Sequence, residues 1–248
     1  MEFFADWHIH TTYSDGRGTL EENVEAAVNR GLDQIAITDH GPANMGGVGV
    51  KGAQIYQEIR DKLESISQDY GGITVLTGAE ANILSLDGTI DLPKQVIGQL
   101  DILAVGLHPY VRSSTFGNSW SVVALNQIAQ FSRRVKEKAR INNTKALKES
   151  LLRYDIDFIS HPNLRMPVDI TELATACVSS DTALEINTGH RYDKDSLVRT
   201  AAGTGVNFVV NSDAHFPKNV GNLASGGMLL EKYNIPPDRI LNARKDRC

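Results

Sequence analysis

Seven short apolar runs rich in Val and Ile recur along this chain, and stretches of helical period separate them. The runs fall at 2–7, 33–38, 73–78, 101–107, 156–160, 182–187 and 206–212. Several, such as DILAVGL at 101–107, are nearly continuous rather than alternating. That pattern suits parallel strands buried on both faces. The first intervening helix carries its own limits. Thr19 and Glu22 have capping-box spacing, Leu20, Val24, Ala27 and Val28 form an apolar stripe, and Gly31 ends it. Further helices are predicted at 52–69, 119–140, 144–153, 169–180 and 194–204, and a short helical run after Pro236 and Pro237. Strand–helix alternation throughout predicts a parallel α/β sheet, either open and doubly wound or closed into a barrel. No repeat, low-complexity tract or linker interrupts it, so one domain is expected over 1–248.

The polar residues choose between the two architectures. Six of the seven histidines come directly after a predicted strand. His8 and His10 follow the first, His40 the second, His108 the fourth, His161 the fifth and His215 the seventh. Asp39, Glu80 and Asp213 stand in the same positions. In a parallel fold the carboxyl ends of all strands share one face, where ligands bind. A barrel brings those ends around one centre, whereas an open sheet spreads them along an edge. Convergence therefore favours a small barrel of seven strands.

Local spacing supports a metal site. Residues i and i+2 of an extended segment point the same way, which groups Asp6 with His8 and His10, and Asp213 with His215. Paired imidazoles on one strand grip a metal well. Asp6, one step deeper, is expected to orient a ligand imidazole, and Asp39 to do the same nearby. Asp101 lies at the opposite end of its strand and reads as structural. His190, the seventh histidine, reads as a solvated loop residue or a proton donor.

Composition excludes other classes. The net charge is −5, so the surface as a whole repels nucleic acid. The two cysteines, Cys177 and Cys248, build no disulfide framework. No signal peptide and no membrane-length apolar run are present, so a cytoplasmic protein without membrane contact is expected.

The blocks DWHIHTTYSDG (6–16), ITDHG (37–41), GAEANI (78–83), GLHPY (106–110), ISHPN (159–163), LEIN (184–187) and SDAH (212–215) together resemble the PHP family, named for polymerase and histidinol phosphatase domains. ITDHGP, GAEANI and IPPDRILN are also similar to the small stand-alone bacterial phosphatases of that family. The resemblance implies a distorted (β/α)7 TIM-like barrel with a trinuclear metal site at the C-terminal ends of the strands. By position, His8, His10, Glu80 and Asp213 would hold one metal. Asp15, His40 and His215 would hold the second, and Glu80, His108 and His161 the third, with Glu80 bridging. Some members carry histidine where this chain has Asp15. The ligand set lacks thiolate and suits Zn, Mn or Fe.

The implied function is a metal-dependent phosphatase for a small phosphomonoester, of the histidinol phosphatase kind. Three divalent ions, the three carboxylates and a bridging hydroxide leave about two positive charges, which matches a phosphate dianion. That hydroxide would attack phosphorus, with Glu80, Asp213 and His215 acting through the metals. Arg17, Arg165 and Arg191 lie near the mouth as phosphate-binding residues. The loop from His108 to about Ser119 reads as a lid. The alternative is a nuclease or phosphodiesterase, for which only the basic face RRVKEKAR (133–140) speaks. An amidohydrolase-type barrel and a non-enzymatic PHP domain fit the TDH and SDAH blocks, and the filled ligand set, less well.

Overall fold

The computed structural model describes residues 1–112 and 125–244. Seven parallel strands run in the order of the sequence: β1 (Ala5–Ile9), β2 (Gln34–Ile37), β3 (Thr74–Asn82), β4 (Ile102–Gly106), β5 (Phe158–Ile159), β6 (Ala183–Asn187) and β7 (Phe208–Asn211). All of β4, β6 and β7 is buried, as their continuous apolar runs require. Helices α1 (Leu20–Asn29), α2 (Ile55–Asp69), α3 (Lys94–Ile97), α4 (Leu125–Ile128), α5 (Arg133–Leu151), α6 (Ile170–Ser179), α7 (Lys194–Ala201) and α8 (Ala224–Lys232) lie between and after the strands. The result is the expected α/β barrel, nearly closed.

Strand β3 shows how the barrel is staggered. Its first half, Thr74–Thr77, pairs with β2, and its second half, Gly78–Asn82, pairs with β4. This offset is the shear that tilts strands in a barrel. It also puts Glu80 inside the strand rather than after it. Below the site, Ala36, Ile102, Ala104, Phe158, Ala183 and Val209 fill the interior, with Trp7 and Leu76 against them.

The seam between β1 and β7 closes largely through side chains. Asn242 is fully buried there. Its amide nitrogen donates to Ala5 O at 2.8 Å and Val210 O at 2.6 Å, and its Oδ1 accepts from Val210 N at 3.1 Å. Higher up, Asn211 Oδ1 accepts Trp7 N at 3.0 Å, and the main chains of His10 and Ala214 meet at 3.0 Å. Buried strand edges need such partners.

The helix caps follow the sequence. Thr19 accepts Glu22 N at 3.2 Å while Glu22 accepts Thr19 N at 2.9 Å. Leu20, Val24 and Ala27 are buried, but Val28 is 44 % exposed and leaves the predicted stripe. Residues 119–124 of the expected 119–140 helix lie outside the described residues, as do 113–119 of the expected lid. The rest of that prediction divides differently. Ser132 is extended and breaks the chain between α4 and α5, and α5 then runs unbroken through 141–143. Asn143 does not end the helix because its side chain is buried and paired with Asn126 and Pro167 O, each at 2.9 Å. Among the described residues after Pro236 the predicted helical run is a single 3-10 turn, Pro237–Arg239, and α8 falls outside every predicted helix. Its glycines and short length hid it from a periodicity reading.

Candidate metal centre

The upper strand ends deliver nine ligand-type side chains to one place. His8 and His10 come from β1, and Asp15 from the turn that follows. That turn is pinned by Asp39, which accepts Thr11 N at 2.7 Å, Thr11 Oγ1 at 2.6 Å and the Ser14 hydroxyl. His40 follows β2, Glu80 lies in β3, His108 follows β4 and His161 follows β5. Asp213 and His215 follow β7.

Glu80 is the hub. Its Oε2 lies 2.7 Å from His40 Nδ1, 3.4 Å from His8 Nε2 and 3.7 Å from His10 Nε2. Its Oε1 lies 2.7 Å from His161 Nε2 and 3.2 Å from His108 Nε2. A β-carbon at Gly106 would overlap Ser160 Oγ and crowd His108 and Glu80, so only glycine leaves room there. Asp213 Oδ1 lies 3.1 Å from His10 Nε2 and 3.4 Å from His215 Nδ1. Asp15 Oδ1 lies 3.3 Å from His215 Nε2 and 3.7 Å from His40 Nε2. His161 and Asp213 have φ of 28° and 50°, a left-handed backbone that costs energy outside glycine and clusters at functional sites.

Three groups of side chains each bring their ligand atoms within 4.8 Å of one another: His10, Asp15, His40 and His215; His8, His10 and Asp213; His40, Glu80 and His108. His8 Nε2, both nitrogens of His10, both oxygens of Glu80 and Asp213 Oδ1 are buried without a hydrogen-bond partner. Burying that many unmatched polar atoms is costly unless something satisfies them together. Divalent cations do so, and imidazole with carboxylate is a donor set they accept.

The charges agree. Burial would raise Glu80, but the imidazoles of His108, His8, His40 and His161 hold its carboxyl well below the usual range. Asp213 behaves alike, with His8 and His10 overcoming its burial. Asp15 falls to about 2, because the His215 hydrogen bond and the charges of His40, His10 and His215 together outweigh burial. Burial and the neighbouring His40 lower His10 to about 3. His8 is lowered by burial but lifted further by Glu185, Asp213 and Glu80, and ends well above its ordinary value. His215, despite burial, rises to about 9 through Asp15 and Asp213.

The second layer departs from expectation. Asp6 does not orient an imidazole. Its Oδ1 accepts Ser212 N at 3.1 Å and its Oδ2 accepts Gly221 N at 2.8 Å, so it stitches β1 to the chain after β7. The pairing of β1 with β2 shifts register between Asp6 and Ile9, which breaks the strict alternation that grouped Asp6 with His8. Glu185 takes the orienting role. Its Oε1 meets His8 Nδ1 at 2.7 Å, its Oε2 accepts His161 N at 2.7 Å, and Asn211 and Asn187 hold it. Sequence reasoning missed Glu185, although LEIN was the block that held it. Its charge in a continuous apolar strand was the available signal. Asp101 is structural as expected, accepting Thr77 N at 2.9 Å.

A cavity of about 200 Å³ opens above the cluster. Asp15, Asn44, four of the histidine ligands and Asp213 belong to its polar lining, and Met45, Val48, Leu107, Pro109, Tyr110 and Leu164 to its apolar wall. Arg165 lines it too. Arg17 and Arg191 are exposed and lie outside the lining, although Arg17 N is bonded to His215 O at 2.8 Å. His190 lines the cavity, half-exposed, with Nε2 3.1 Å from Asp213 Oδ2.

A nearly closed seven-stranded barrel with this cluster at the carboxyl ends of its strands defines a metal-dependent phosphoesterase. The chain belongs to the PHP domain family, whose profile matches residues 6–189. It is 31 % identical to a probable phosphatase of Caldanaerobacter subterraneus, an alignment that covers 100 % of this chain and 90 % of that protein. It is 27 % identical to the DNA polymerase/3'-5' exonuclease PolX of Bacillus subtilis, over 97 % of this chain but 39 % of that protein. In fold it is similar to the histidinol phosphate phosphatase of Lactococcus lactis, solved with zinc, L-histidinol and phosphate. The TM-score is 0.64 at 16 % identity, with 94 % of each chain covered.

Proposed function

We propose that this protein is a phosphatase for small phosphomonoesters that works with three divalent cations. The observation that carries the reading is the convergence of nine ligand-type side chains, seven of which (His8, His10, Asp15, His40, Glu80, His108 and Asp213) keep buried ligand atoms without a hydrogen-bond partner. His8, His10, Glu80 and Asp213 would hold one cation, Asp15, His40 and His215 a second, and Glu80, His108 and His161 a third. Zn, Mn and Fe all suit this set. Bound there, the cations supply a lowered pKa for water and neutralise phosphoryl charge.

The chain's own groups do the rest. Glu185 fixes the His8 ring and the His161 backbone, and Asn187 fixes Asp213 at 2.8 Å. Arg165, on the cavity wall, orients the phosphoryl group through its guanidinium fork. Arg17 and Arg191 would meet only larger substrates. The Met45 to Tyr110 wall holds the ester's alcohol portion and excludes water. The similarity to a histidinol phosphate phosphatase and to proteins named probable phosphatase supports the same class of substrate. No described helix is long and apolar enough to cross a membrane.

The test is phosphate release from a panel of phosphomonoesters, with manganese or zinc added and chelator as control. Metal-dependent release is expected. A folded, metal-loaded protein that releases none would move the assignment to phosphodiesters and nucleic-acid ends.

A further inference from the structure

The space above the histidines continues outward. A second cavity of about 850 Å³ adjoins the first, and Pro109, Tyr110 and Arg165 line both. Three cations from two elements edge it: Arg165 after β5, and Arg133 and Lys136 in the first turn of α5. No Asp or Glu is among its described lining residues, and none of the three cations forms a salt bridge among the described residues, although the Arg133 charge reaches Glu137. Glu137, the nearest acidic residue in the helix, is taken by Arg140 at 2.6 Å. In a chain of net charge −5, this is a local positive field.

The lining of the outer cavity is mixed, with Tyr110, Phe131, Met166 and two prolines beside Asn126, Gln127 and Ser132. Tyr110 is 57 % and Phe131 80 % exposed, so both rings offer contact area to a bound group. Tyr110 is held in place by the main chain. Met45 N donates to Tyr110 O at 3.0 Å and Arg112 N to Ala43 O at 2.8 Å, which joins the loops after β2 and β4. Arg165 sits in a shaped loop as well. Its φ is 61°, that of Asn163 is 72°, and Asn163 Oδ1 accepts Val168 N at 2.6 Å.

Resting on the phosphatase reading above, we infer that the substrate carries a second anionic group. Arg133 and Lys136 bind that group, and an apolar or aromatic body spans the distance along Tyr110 and Phe131. Arg165 stands between the two anions. The basic face of 133–140 is thus a specificity element for a small doubly anionic ester rather than a track for nucleic acid.

The experiment uses the metal-loaded protein and 4-alkylphenyl phosphates of graded chain length, ending either in methyl or in carboxylate. At one length the carboxylate should raise kcat/KM by about tenfold or more over the methyl compound, as charge-assisted hydrogen bonds do. R133A/K136A should bring that ratio to about one, and R133E/K136E should invert it. A ratio near one in the native protein, or a ratio that survives both variants, overturns the inference. If neither ester is hydrolysed, the phosphatase reading fails separately. The subsite then stands or falls on calorimetry with the matching phosphonates, whose affinity must show the same carboxylate preference and the same loss. A gain seen only with single-stranded oligonucleotides ending in phosphate, and growing with their length, also overturns the small-molecule assignment.

Discussion

Glu185 Oε1 lies 2.7 Å from His8 Nδ1, with both side chains fully buried, so the ring is held by an acidic residue 177 positions away. The contact fixes the tautomer in which Nε2 faces Glu80 and Asp213.

Removing that contact should loosen the metals without unfolding the barrel. E185A is expected to weaken metal affinity about 10–100-fold, and E185Q by less, because the amide keeps an acceptor. Chelator competition with metal analysis reads the change, and circular dichroism checks the fold. Unaltered affinity in E185A would remove the orienting role.

Glu80 bridges two of the proposed sites, so E80A should lower kcat by about 10²-fold or more, a loss of the size seen when a key charge-stabilising group is removed. Far-ultraviolet circular dichroism should stay native. An enzyme loses turnover here and keeps its fold, whereas a metal held only for structure would lose the fold as well. Unfolding of E80A alongside full activity of the native protein with chelator would refute the catalytic assignment.

Proton linkage predicts opposite pH trends with and without metal. In the chelated protein His8 is raised and His215 is raised to about 9. The stability they contribute is complete below their ordinary pKa of about 6.5 and is lost as pH rises through 9. Glu80 and Asp213 are depressed, so their contribution is present above the usual carboxylate range and is lost on acidification. His10, lowered to about 3, adds to the acid loss, because the unfolded chain takes up that proton first. The Tm of the chelated protein should therefore peak between about pH 5 and 6.5 and decline toward 9. Metal ligation needs deprotonated imidazole, so the gain in Tm on adding metal should grow over the same interval. Differential scanning fluorimetry across pH 4–10 reads both curves, and a chelated Tm that climbs from 6.5 to 9 would contradict the linkage.

Asn242 serves three main-chain groups at the β1–β7 seam. N242A strands them in a buried position, at a cost of about 1–3 kcal/mol for each group that water cannot reach. A chain of this size loses about 2–4 °C of Tm per kcal/mol, so a fall of about 6 °C or more is expected. The KM of the metal-loaded enzyme should stay unchanged, since the Asn242 side chain bonds to Ala5 and Val210 and to none of the cluster or cavity-lining side chains. A Tm within one degree of the native value would show that the seam closes without it.

The sequence by itself determined the strand–helix alternation, the barrel and eight side chains of the cluster, the six histidines with Glu80 and Asp213, while Asp15 is reached only through the resemblance to the PHP family. Those were legible because apolar period reports which segments are buried, and because histidines stand at one end of five of the seven runs. It did not determine what each buried polar atom meets. Asp6 and Glu185 are both single acids in apolar strands, and alternation gave Asp6 the role that Glu185 holds. Only closure of the barrel brings Glu185 under His8 and Asn242 between Ala5 and Val210, 237 and 32 residues from it. Local pattern follows the backbone's own geometry, whereas a hydrogen-bond partner far along the chain is chosen by strand stagger and by the register shift after Asp6. The tertiary structure therefore decided the supporting layer and the outer cavity, because both are formed by segments that share no local period.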